Sequence, residues 1–108
     1  MSAALVNRLR ARPGVVALGP EGPGAITVRV QVPELWDTVA MRCAEGTSVL
    51  AMKRAALEAF GERHHPAEDY VLKLRGIEVL DEQAPVTVAG ARDGSTFLLT
   101  YRHRRPVR

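Results

Sequence analysis

With 108 residues the chain has room for one domain and a single core, and too little for an elaborate catalytic pocket. A composition of 46% hydrophobic and 25% charged residues belongs to an ordinary soluble globular fold, and one cysteine, Cys43, excludes an internal disulfide framework and a clustered-thiolate zinc site. The net charge of +3 sits at the ends: residues 25–101 hold 8 basic and 11 acidic side chains, so the sequence pI of about 9.6 does not describe a basic binding face on the body.

The opening MSAALVNRLRARPG meets arginine too early to hold the apolar run of a signal peptide, and no later run is long enough to span a membrane, so the expected location is the cytoplasm without membrane insertion. Thirteen of the 15 basic residues are arginine, which with abundant Ala, Gly and Val is the composition of a GC-rich bacterial genome. Residues 1–12 can form a short helix behind Ser2, closed by Pro13-Gly14. Residues 15–18 are a small apolar run that could add an extra strand, and GPEGPG cannot hold regular structure, which places a joint there.

In AITVRVQV, Ile26, Val28, Val30 and Val32 alternate with polar residues, the signature of a half-buried strand. PELW makes a turn, with Trp36 expected over the core edge, and DTVAMRCA alternates again with Val39, Met41 and Cys43 inward, so the pair reads as a hairpin. The period then changes. Thr47 or Ser48 can cap a helix over VLAMKRAALEAF, where Val49, Met52, Ala56 and Phe60 share one stripe and Gly61 suits a left-handed cap. After the loop ERHHPAED come YVLKLRG, with Tyr70, Leu72 and Leu74 inward, a short extended piece around Val79 and Leu80, the polar turns AGARDGST, and the closing strand FLLTY with Phe97, Leu99 and Tyr101 inward. The order β-β-α-β-β-β predicts an α+β domain in which one helix covers one face of a mixed sheet of four to five strands.

That order and three local stretches resemble ubiquitin and its β-grasp relatives over roughly residues 25–104. TSVLAMKRA is similar to the family's capped helix entry. LKLRGIEVLDEQAPV is similar to its strand ending in Gly followed by a short strand and two acidic residues, with one residue more here. VAGARDGSTFLLTYRHR is similar, without a gap, to the region running through the last strand, including the arginines at 102 and 104. The resemblance divides the chain into an extension over 1–24, a ubiquitin-like domain over 25–104 and a basic tail over 105–108.

Where conjugated members carry Gly-Gly, this chain has Arg105-Pro106, whose bulk and rigidity oppose threading into an activating enzyme. The surface isoleucine of the ubiquitin patch corresponds to Lys73, and its histidine and valine to Leu98 and Thr100, so partners that read that patch are not expected. The resemblance therefore implies a non-conjugated interaction module, similar to the YukD-like domains linked to type VII secretion or to docking subunits of larger machines. A modifier or sulfur carrier is the alternative. A Ras-binding-like domain, using the second strand with Arg42, Lys53 and Arg54, is the third.

Alternation puts Arg29, Arg42, Val71, Lys73, Arg75, Leu98, Thr100 and Arg102 on the sheet face away from the helix. Apolar groups ringed by cations there suit a protein partner with an acidic or mixed surface. A plain solvated sheet face accounts for the same pattern. His64 and His65 are adjacent and lack companions, so no metal or other cofactor is expected. Cys43 has an inward phase and no base beside it, and no hydrolase triad, phosphate loop or carboxylate pair occurs, so the chain is not expected to be an enzyme. The terminal arginines lack an aromatic platform, which makes nucleic acid an improbable partner.

Overall fold

The computed structural model describes residues 14–33, 36–61 and 66–102. The expected helix over 1–12, Glu34 and Leu35 of the PELW turn, the His64–His65 pair, and the stretch from His103 through the tail lie outside the described residues.

Six strands and one helix follow in chain order: β1 (Val15–Leu18), β2 (Ile26–Val32), β3 (Asp37–Cys43), α1 (Val49–Ala59), β4 (Tyr70–Leu74), β5 (Ile77–Glu78) and β6 (Thr96–Tyr101), with a single 3-10 turn at Ala67–Asp69 before β4. They form one mixed sheet in the order β1-β3-β2-β6-β4-β5. The sheet has six strands where four to five were expected. The added strand is β1, which pairs in parallel with β3 from Val15↔Ala40 to Leu18↔Cys43, so part of the stretch read as an extension belongs to the sheet. Four apolar residues carry no decisive period of their own. Pairing with β3 and the packing of Val16 and Leu18 on the core settle their conformation.

β2 and β3 form the expected hairpin, in register from Ile26↔Cys43 to Val32↔Asp37, and β6 lies parallel beside β2 with Val30↔Phe97. The inward sets meet α1 in a core that includes Val28, Val30, Met41, Leu72, Phe97 and Leu99, each almost wholly buried. Ser48 caps the helix by accepting from the Ala51 amide at 3.0 Å, and Gly61 follows with φ +79°. The 82–91 segment supports the same end of α1: the amides of Val49 and Leu50 donate to the carbonyls of Ala84 and Glu82 at 2.9 and 2.8 Å. Amides that the helix cannot satisfy internally are thereby satisfied.

Between β4 and β5 the loop is only Arg75-Gly76, with φ of +52° and +82°. Positive φ at both central residues is the type I′ turn whose twist matches the strands it joins. The extended piece expected around Val79 and Leu80 accordingly lies earlier, at Ile77–Glu78.

Candidate functional site

The register fixes which side chains share the face away from α1. One row crosses the sheet as Thr38, Gln31, Leu98, Lys73 and Glu78, each the cross-strand partner of the next. Val71 opposes Thr100 in the adjoining row, and Arg29 opposes Thr96 and Ala40. The structure therefore brings Lys73, Leu98, Val71 and Thr100 together, with Arg29 at their margin.

Their accessibility differs from the expectation in three places. Val71 is only 7% exposed, whereas Lys73 two residues on in the same strand is exposed. Its apolar surface is already spent. Arg75 leaves the strand phase altogether: its left-handed backbone turns the side chain so that Nη2 donates to the Gly90 carbonyl at 3.3 Å, on the side of the sheet where Leu74 packs. Trp36, expected over the core edge, is instead 94% exposed at the β2–β3 turn, one residue beyond the Val32↔Asp37 pair.

Two of the expected cations are engaged within the chain. Arg42 donates from Nε and Nη2 to the Glu21 carboxylate and from Nη1 to Thr27 Oγ1 at 3.0 Å, with Asp93 at 3.9 Å. Hydrogen bonding to Arg42 holds the Glu21 carboxyl below its ordinary value, and bonding to Glu21 raises the guanidinium above its own. Arg102 reaches Glu78 at 3.2 Å. Among the described residues, Arg29 and Lys73 make no ion pair and remain the cations this face can offer. Leu98, beside Lys73, and Thr100, one row further from Arg29, are half-buried.

The third reading required the outer edge of β3 and a basic helix face. β1 occupies that edge along Ala40–Cys43, and Arg42 is held by Glu21. Lys53 is buried, donating to the Tyr70 carbonyl at 2.7 Å and to Glu82 Oε2 at 2.8 Å. Lys53, expected as a basic contact on the helix, lies instead in the buried stripe Val49, Met52, Lys53, Ala56 and Leu57; its spacing of four from Val49 and from Leu57 was the signal that could have placed it inward. Cys43 is buried in the core, and burial raises its thiol pKa, the opposite of what a nucleophile needs. No helix among the described residues is long and apolar enough to cross a membrane.

No family model and no curated protein matches the chain. Solved structures do. A ubiquitin from Caldiarchaeum subterraneum superposes with a TM-score of 0.63 at 17% identity, over 75% of this chain and 98% of its own. The ubiquitin-like domain of an Arabidopsis thaliana protein gives 0.63 at 16% identity, over 83% and 90%. The UBL domain of Plasmodium falciparum Dsk2 gives 0.58 at 22% identity, over 71% and 97%. The architecture is thus the ubiquitin-like β-grasp: one helix on a mixed sheet, here with β1 added at the edge beside β3.

Proposed function

We propose that the chain is a non-catalytic ubiquitin-like interaction module, or docking subunit, of a larger bacterial assembly in the cytoplasm, binding a protein with an acidic or mixed surface through the sheet face away from α1. The observation that carries this reading is the pair Arg29 and Lys73, which make no ion pair among the described residues, around half-buried Leu98, with Trp36 almost fully exposed at the β2–β3 turn of the same sheet. An exposed tryptophan is the side chain most often found as a binding anchor, and surrounding cations steer an acidic partner. Arg29, Lys73, Leu98 and Thr100 are the proposed contacts, with Trp36 added. Arg42 and Arg102 enter only through their ion-paired surfaces, and Val71 and Arg75 contribute as support beneath or beside the face. The Arg105-Pro106 pair weighs against a C-terminally activated modifier.

The test is affinity capture from the native lysate with wild type and with Lys73→Glu/Leu98→Asp, resolved by mass spectrometry under denaturing conditions. A non-covalent partner retained by wild type and lost by the double variant is the expected result. Adducts that survive denaturation, or a partner set indifferent to the substitutions, overturn it.

A further inference from the structure

Three large aliphatic side chains are exposed around one concavity: Ile77 at 73%, Leu80 at 82% and Val88 at 73%. They line a groove of about 320 Å³ between β5 and the 84–89 segment, floored by Leu74, Val79 and Ala89. Ile77 opposes Leu74, whose side chain packs in the core, so the groove opens beside the helix-facing side of the sheet and not on the Lys73–Leu98 face. Its rim is polarised. Arg75 stands at the turn end and Asp81 at the other, while the Glu78 carboxylate is turned to the opposite face and held by Arg102; the Asp81 carboxylate accepts from the Gln83 amide at 3.2 Å and makes no ion pair among the described residues.

We infer that this groove docks an amphipathic helix of a partner protein, with aliphatic anchors along one stripe, a basic side chain near its N-terminus beside Asp81, and its C-terminal end toward Arg75. Shape and charge select that occupant. β5 is the open edge of the sheet but is two residues long, too short to template an added strand, so main-chain pairing cannot be the mode of recognition. A concave apolar surface is filled by a convex one, and a helix presenting residues at i, i+3 or i+4, and i+7 supplies three anchors for Ile77, Leu80 and Val88. Two copies related by a two-fold axis through this groove would set one concavity against another. The helix dipole adds direction, since its positive end is favoured beside Asp81 and its negative end beside Arg75.

The experiment uses the full chain and two fluorescein-labelled synthetic peptides of ~18 residues, about 27 Å of helix, with the same leucine stripe. One carries lysines in its first turn and glutamates in its last, the other carries the reverse, and both are hydrocarbon-stapled so that the unfavourable charge–dipole placement in the first does not lower its helicity. Fluorescence anisotropy is expected to show the first binding about fivefold tighter, the upper range for one exposed ion pair. Leu80→Asp or Val88→Asp is expected to weaken it about tenfold, by loss of aliphatic contact, and Asp81→Lys to reverse the preference. Lys73→Glu/Leu98→Asp is expected to leave binding unchanged, which separates this site from the sheet face. All three groove positions are exposed, so thermal melts of the variants should match wild type. Equal affinity for the two peptides, or indifference to Leu80→Asp, overturns the inference. So does a wild-type dimer in sedimentation equilibrium that Leu80→Asp dissociates, because the occupant is then a second copy.

Discussion

Lys53 and Glu82 illustrate how unequal the two ends of one ion pair can be. The lysine is buried, whereas the glutamate side chain keeps 21% of its surface and can hydrate when left alone. Glu82→Ala should therefore cost about 3 kcal/mol, because it strands an ammonium in the core with only the Tyr70 carbonyl. Lys53→Met, which keeps the aliphatic stem, should cost about 1 kcal/mol. Urea unfolding of the two variants checks the order, and equal losses would contradict it. Cys43 should resist iodoacetamide at mildly alkaline pH while the chain is folded, since burial both excludes the reagent and raises the thiol pKa; labelling should begin only with urea unfolding. Glu21 gives a pH signature. Its folded carboxyl lies below its ordinary 4.5, so the Arg42 contact stabilises the fold above that value and is lost as pH falls through the folded pKa. Glu21→Gln should remove this acid-side component, so the stability difference from wild type should shrink as pH drops and also with added salt, because both groups are solvent-exposed.

At the scale of elements, α1 and the β2–β3 hairpin were legible because each repeats its period over seven or more residues and is bounded by turn residues. Ser48→Ala should cost about 1 kcal/mol in thermal or urea unfolding, through loss of the hydroxyl that accepts the Ala51 amide. β1 and β5 were harder to read, since four and two residues cannot display a period. What holds β1 in place is visible only in three dimensions. The Leu18 carbonyl accepts from the Ala44 amide at 2.9 Å, and Gly19, at φ +93°, passes so close to Ala44 that an added Cβ would stand 2.8 Å from the alanine Cβ. Gly19→Ala should therefore destabilise the fold by about 1–3 kcal/mol, combining backbone strain with that clash, and hydrogen exchange should show β1 and the Ala40–Cys43 edge losing protection together. Loss of protection confined to residue 19 and its neighbours would mean that β1 does not depend on this close approach.

For the whole molecule, the single tryptophan is a reporter placed at the proposed interface. Free protein should emit like solvated indole, and a partner docked on the Lys73–Leu98 face and the adjoining β2–β3 turn should shift the emission to the blue, whereas a helix seated in the Ile77–Leu80–Val88 groove should leave it unchanged. Alternating and helical periods in the sequence were enough to determine the α+β class, the inward residues of the long strands and Val49, Met52 and Ala56 of the α1 stripe, because burial of an apolar set imposes its period directly on the letters; the charge of Lys53 hid its place in that stripe. They also located Lys73, Leu98 and Thr100 on one face. The tertiary structure alone decided that β1 closes the β3 edge, that Arg42 and Arg102 are already neutralised by Glu21 and Glu78, that Val71 is covered, that the type I′ turn swings Arg75 off the face, and that Trp36 is exposed. Each of these depends on which residues distant in the chain become neighbours, or on one backbone angle in a short turn, and neither leaves a periodic trace in the sequence.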